Sequence, residues 1–211
     1  MGLSKKTDNK YLAPKLMLRR YFLTKYHQVP PRVLDCCQGS GKLWGTLLRE
    51  FPVQTYWGLD KKPKKGRIAI DSERILASGQ WVADVVDVDT YGSPWGHWFH
   101  LLRTGTGTIT VFLTVGLVRV GGGGMMATVV KEVLGLAKLE PKLAHHKTGK
   151  VMIRASLLGK LHDFSVDYCL RQALSLGWQV IDAQEAFPSD KARYIGVRLQ
   201  SVSAAAPVSL S

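Results

Sequence analysis

Apolar positions recur along this chain at two periods, and the alternation between the periods predicts an α/β order of elements. Between Tyr11 and Tyr26, Leu12, Leu16, Leu18, Phe22 and Leu23 fall near helical spacing, with Lys15, Arg19, Arg20 and Lys25 between them. This predicts a helix with a basic face, open to solvent or to phosphates, stopped by the prolines of His27–Pro31. Short apolar runs at Arg32–Cys37, Thr55–Leu59, Ile68–Ser72, Trp81–Val88 and Thr108–Leu117 read as strands. Helical segments are expected at Lys42–Phe51, at Glu73–Gln80, after Pro94, over Met125–Leu139 and over Phe164–Leu176. The last of these carries Tyr168, Leu170, Ala173 and Leu174 as its core face. Gly121–Gly124 reads as a loop, Glu140–Lys150 as basic and irregular, and Trp178–Ala183 and Arg193–Gln200 as closing strands joined through Phe187–Asp190.

The informative stretch runs from Arg32 to Asp60. A strand meets the turn Gln38-Gly39-Ser40-Gly41, a helical segment follows, and a second strand ends in Asp60. That is the opening of a Rossmann-like sheet. The glycines let the backbone approach a nucleotide-like ligand closely. Asp60 lies nineteen residues beyond Gly41, close to the spacing at which an acidic residue reaches ribose hydroxyls. A P-loop is excluded, because Cys36 and Leu43 stand where it needs Gly and Ser or Thr. A nicotinamide dinucleotide turn fits less well: its third glycine would be Gly45, one place late. Without a ligand, Asp35 would serve a turn or cap and the glycines a tight turn.

A second stretch carries candidate chemistry. The fourth expected strand lies beside the first in a doubly wound sheet, so its C-terminal end faces the cleft. There the sequence reads Asp87-Val88-Asp89-Thr90-Tyr91-Gly92-Ser93-Pro94. Asp87 and Asp89 alternate and so share one face, unless the strand has already ended before Asp89. A basic loop, Lys61-Lys62-Pro63-Lys64-Lys65-Gly66-Arg67, follows Asp60 and reads either as a solvated turn or as a contact with a phosphate backbone. Asp71, before the short third helix, is either a ligand contact or a helix cap.

Asp35-x-x-x-Gly39-x-Gly41 followed by Asp60 resembles motifs I and II of the class I S-adenosylmethionine-dependent methyltransferases. The resemblance implies an α/β fold with a Rossmann-like, seven-stranded, mostly parallel sheet, an antiparallel last strand and helices on both faces. It also implies S-adenosyl-L-methionine as cofactor. Gly39, Ser40 and Gly41 would pack against its methionine part and Asp60 would hold the ribose hydroxyls. Asp71, with Ser72 beside it, would contact the adenine amino group, and Asp35 and Asp87 would complete the cofactor site. Asp89-x-Tyr91-Gly92-Ser93-Pro94 is similar to motif IV of the tRNA guanine dimethyltransferases and, more loosely, to the Asp/Asn-Pro-Pro-Tyr loop of amino-group DNA methyltransferases. The resemblance covers roughly residues 32–117. It implies methylation of an amino group on a nucleic-acid base, RNA or DNA. Asp89 would accept the amine N–H and Tyr91 would stack on the base. Pro94, Lys61, Lys62, Lys64 and Lys65 would contact the substrate. Thr90 stands where the motif has proline, which leaves a second function open: a non-catalytic nucleic-acid-binding protein of the same fold.

Charge supports the same partner. The 211 residues carry 29 Lys and Arg against 16 Asp and Glu, a net charge of +13, which favours a polyanion. A 45% hydrophobic content excludes general disorder. Three parts are expected: a basic helix over residues 1–30, a methyltransferase-like domain over 31–200 and a disordered tail over 201–211. Three cysteines without metal spacing suggest a reduced, cytoplasmic setting and no metal. The polar start carries no signal-peptide pattern, and the apolar run from Thr108 to Val130 is broken by Arg119 and four glycines, so no membrane span is expected.

Overall fold

The computed structural model describes residues 11–62, 69–90, 94–116, 144–147, 150–153, 158–189 and 192–202. In chain order the elements are α1 (Leu12–Tyr26), β1 (Arg32–Asp35), α2 (Lys42–Leu47), β2 (Thr55–Gly58), α3 (Ser72–Ser78), β3 (Val85–Val88), α4 (Trp95–Thr104) and β4 (Thr108–Gly116). There follow β5 (Ala144–Lys147), β6 (Lys150–Ile153), α5 (Leu158–Ser175), β7 (Trp178–Ser189) and β8 (Ala192–Ser201). One sheet has the order β2-β1-β3-β4-β8-β7, and β5 pairs with β6 as a separate hairpin. β1 to β4 run parallel; β8 is antiparallel to β4, and β7 to β8.

Strand parity sorts the core into two layers. Val33, Val85 and Phe112 face α1 and α2, where Leu16, Leu18, Phe22, Leu23, Trp44 and Leu47 meet them. Leu34, Val86, Val111 and Leu113 face the other way, onto a layer with Leu76, Trp98, Leu101, Tyr168 and Cys169. Helices therefore cover both faces, as expected. The first helix belongs to this packing. Phe22 is fully buried, meets Phe112 edge-on at 5.7 Å, and lies over Gly196 of β8, where a Cβ would come within 2.5 Å of the Phe22 ring. Pro14 sits in the first turn of α1, where its missing N–H costs nothing.

The sheet has six strands among the described residues, not the seven expected. The segment expected as a strand at Ile68–Ser72 makes a single parallel bridge, Ala69 with Asp60. It stops there because Asp71 caps α3, accepting the Glu73 N–H at 3.0 Å, so the chain turns helical at Ser72. The fourth expected strand is also shorter, Val85–Val88. Trp81 leaves the sheet line to donate its indole N–H to Leu76 O and Thr104 Oγ1. α2 keeps only Lys42–Leu47, and the rest of the expected helix is a series of turns. β7, by contrast, continues to Ser189, carried past Ala183 by register shifts at Val180/Asp182 and Ala186/Ser189. The β5–β6 hairpin replaces part of the stretch read as irregular. The expected helix Met125–Leu139, the Gly121–Gly124 loop and most of the expected tail fall outside the described residues.

Candidate active site

β1 and β3 are neighbours in the sheet, with Asp35 directly opposite Asp87. The chain leaves β1 towards β2 on one side and β3 leads to β4 on the other, so their C-terminal ends flank the point where strand order reverses. Asp35 continues the parity of Val33 and Asp87 that of Val85, whereas Asp89 lies one residue beyond β3 and meets α1 through its pair with Lys15. All three carboxylates therefore belong to the face that α1 covers.

α1 answers them with two cations one turn apart. Arg19 forms a two-pronged pair with Asp87, Nε to Oδ2 at 2.7 Å and Nη2 to Oδ1 at 2.6 Å. Both side chains are buried, 1% and 0% exposed. Burial alone would lower the Arg19 pKa, but Asp87, together with the charges of Asp89 and Asp35, more than offsets this and the net direction is upward. Trp44 of α2 adds its indole N–H to Asp87 Oδ2 at 2.8 Å. One turn earlier, Lys15 Nζ donates to both oxygens of Asp89, at 2.5 and 2.6 Å, and lies 5.0 Å from the centre of the Tyr194 ring.

Asp35 is held differently. It is 4% exposed and accepts the Tyr56 hydroxyl at 2.7 Å and the Cys37 N–H at 3.2 Å. Among the described residues no cation pairs with it. Burial, then the charge of Asp87, push its carboxyl well above the usual carboxylate range. Burial likewise pushes the Tyr56 hydroxyl and the Cys36 and Cys37 thiols upward, so neither thiol is an activated nucleophile.

The glycine turn is next to this group. Gly39 and Gly41 have φ of 52° and 72°, a left-handed backbone that suits glycine. Asp60 fixes the turn by accepting the Gly39 N–H at 2.8 Å through one oxygen and the Lys62 N–H at 2.8 Å through the other. Ser40 sits half-buried between the glycines. Asp71 stands apart, as the α3 cap paired with Lys61 at 3.1 Å. Lys62 is exposed, and Pro94 is buried at the start of α4. Tyr91, Lys64 and Lys65 lie outside the described residues. His97 of α4 is buried and bonded to Ser72 Oγ at 2.9 Å.

The basic face expected on α1 is largely spent on carboxylates of the same chain. Besides Lys15 and Arg19, Arg20 pairs with Glu50 and Lys25 with Asp182. The cluster contains four residues that the sequence reading missed as site residues: Lys15, Arg19, Trp44 and Tyr56. Arg19 left a signal, because Leu16, Arg19, Phe22 and Leu23 share one helical stripe. A charge inside a buried stripe requires a buried counter-charge.

No family model matches this sequence, and no curated protein does. Solved structures do match. The chain is similar to Trm1 from Pyrococcus horikoshii, solved in complex with S-adenosyl-L-methionine, with a TM-score of 0.59 and 17% identity. That match covers 92% of this chain and 55% of Trm1, so the chain spans about half that protein's length. A protein from Streptococcus thermophilus assigned as a hemolysin gives 0.56 and 9%, over 89% of this chain and 66% of that one. The assigned methyltransferase yhhF from Escherichia coli gives 0.50 and 13%, over 95% and 89%. These likenesses establish the fold. The activities named for the matched proteins differ, as is usual for so widely used an architecture.

Proposed function

We propose that this chain transfers a methyl group from S-adenosylmethionine to an amino nitrogen of a nucleic-acid base. The observation that carries the reading is the grouping at one sheet edge of the glycine turn, its bracing Asp60, and the strand-end carboxylates Asp35, Asp87 and Asp89. The donor set fits the cofactor: among the described residues no cation pairs with the buried Asp35 carboxylate, and Gly39 and Gly41 have the left-handed backbone of a tight glycine turn next to it. Asp60 would hold the ribose hydroxyls with the lone pairs that the Gly39 and Lys62 amides leave over. The Gly39–Gly41 turn would lie along the methionine part, and Asp71 would meet the adenine end.

When bound, the cofactor supplies a methyl group already activated on a sulfonium, so the protein's work is mainly alignment. An exocyclic amine is a weak nucleophile because its lone pair is delocalised into the base ring. Asp89, accepting one of its N–H groups, would raise its reactivity and receive the proton. For that, Lys15 must release at least one Asp89 oxygen, since it now engages both. Arg19 and Trp44 hold the Asp87 carboxylate group in place through their hydrogen bonds. Tyr91 would stack on the presented base, Pro94 would shape the loop beneath it, and Lys61, Lys62, Lys64 and Lys65 would contact phosphates. The charge of +13 suits such a substrate, and a base within a duplex would first have to be extruded.

A second reading is a nucleic-acid-binding protein that retains the fold without the transfer. Two observations favour it: Thr90 in the place of the motif proline, and the double engagement of Asp89 by Lys15. The deciding experiment incubates the protein with methyl-tritiated S-adenosylmethionine and with total tRNA, single-stranded DNA or duplex DNA, beside Asp89→Ala. Tritium entering a nucleic acid, and lost in the variant, is expected. Salt-sensitive nucleic-acid binding with no transfer would favour the second reading.

A further inference from the structure

The charges in the cleft do not balance. Among the described residues, Asp35, Asp87 and Asp89 face two cations, Arg19 and Lys15, and both cations are committed: Arg19 to Asp87, Lys15 to Asp89. The other groups against Asp35 bring no positive charge. Tyr56 of β2 and the Cys37 amide are neutral donors, Cys36 is neutral, and Arg19 acts on Asp35 only through space while bonded to Asp87. Asp60, at the turn, is another acid. An ionised carboxylate, almost wholly removed from water and opposite a second carboxylate, is strongly disfavoured unless a cation or a proton accompanies it.

We propose that Asp35 holds a proton while the cleft is empty and releases it to solvent when the ammonium end of S-adenosylmethionine or S-adenosylhomocysteine enters. The inference rests on the methyltransferase reading above and deepens it: Asp35, with no cation paired to it among the described residues, is the feature by which this site selects a ligand whose zwitterionic amino-acid end presents an ammonium group. The proton and the ligand's ammonium compete for the same carboxylate, so binding is linked to pH. The upward direction of the Asp35 pKa, caused first by burial and then by Asp87, agrees with the charge count.

The test is calorimetric titration of the protein with S-adenosylhomocysteine at pH 7 in buffers of different ionisation enthalpy. Wild-type protein is expected to show an apparent enthalpy that varies with the buffer, with a slope of about one proton released per ligand. Asp35→Asn, which keeps shape and a hydrogen-bond acceptor, is expected to bind more weakly with a slope near zero. Methylthioadenosine, which lacks the amino-acid end, is expected to give no slope with the wild type, and this arm stands even if the variant does not fold. Wild-type binding of S-adenosylhomocysteine with zero slope would overturn this inference alone. An undiminished slope in folded Asp35→Asn would do the same. Failure of the wild type to bind it at all would overturn the methyltransferase reading together with the inference.

Discussion

Replacing Arg19 with Met removes a cation from the most buried ion pair described in the molecule and leaves its partner in place. Met fills much of the arginine stem's volume, so the change is chiefly electrostatic. Asp87, 0% exposed, would keep the Trp44 indole N–H as its side-chain donor while still opposite Asp35. Removing one partner of such a pair costs about 3–5 kcal/mol, because the remaining charge is buried without compensation. The guanidinium also lies 4.9 Å from the centre of the Phe112 ring, a contact the thioether reproduces only in part. Loss of about 3–5 kcal/mol would lower the folding equilibrium constant by roughly two to three and a half orders of magnitude and the Tm by about 6–20 °C for a chain of this size. Urea denaturation followed by tryptophan fluorescence measures this, with an unchanged m-value confirming a native-state effect. Neutralising the orphaned partner, in Arg19→Met/Asp87→Asn, should restore more than half of the loss, whereas Arg20→Ala, which breaks an exposed pair with Glu50, should leave the midpoint within error. A loss below about 1 kcal/mol in Arg19→Met would refute the claim that this pair is buried and uncompensated.

Two further predictions concern the scaffold. Gly196→Ala places a methyl group 2.5 Å from the Phe22 ring and should destabilise by about 1–3 kcal/mol in urea, through displacement of α1; a neutral result would mean that α1 is not seated on β8 at this point. His27 bonds to Thr110 Oγ1, and burial, then the nearby charge of Arg198, lower its pKa to about 4. The unfolded chain takes up this proton near pH 6.5 and the folded one does not, so the stability is complete above that range and is lost as pH falls towards about 4. Urea midpoints measured between pH 7.5 and 4 should therefore fall more steeply for wild type than for His27→Asn, and parallel slopes would contradict the assignment.

Much of the arrangement was legible in local pattern. The run from Val33 to Asp60 places a turn, a helix and two parallel strands in order because glycine at Gly39 and Gly41 and alternation in the strands act locally. Alternation pointed Asp87 and Asp89 to one side, and a single helix, through Arg19 and Lys15, meets both. What was not legible depends on distant partners. The stripe around Arg19 shows that a buried counter-charge is needed, but not that Asp87, 68 residues away, supplies it. β7 runs on to Ser189 because β8 partners it, with two register shifts, as far as the Ser189–Ala192 pair. The missing third strand reflects competition at one residue, Asp71, between extending a sheet and capping a helix.

On the proposed function, the cleft beside Gly39 and Asp60 binds the methyl donor. Equilibrium dialysis of labelled S-adenosylmethionine against the wild type and Asp60→Ala tests it most directly. Saturable binding at micromolar concentration, displaced by S-adenosylhomocysteine and not by NAD⁺ or NADP⁺, and weakened in a folded Asp60→Ala variant, is the predicted result. No binding to the wild type, or displacement by a nicotinamide dinucleotide, would contradict it.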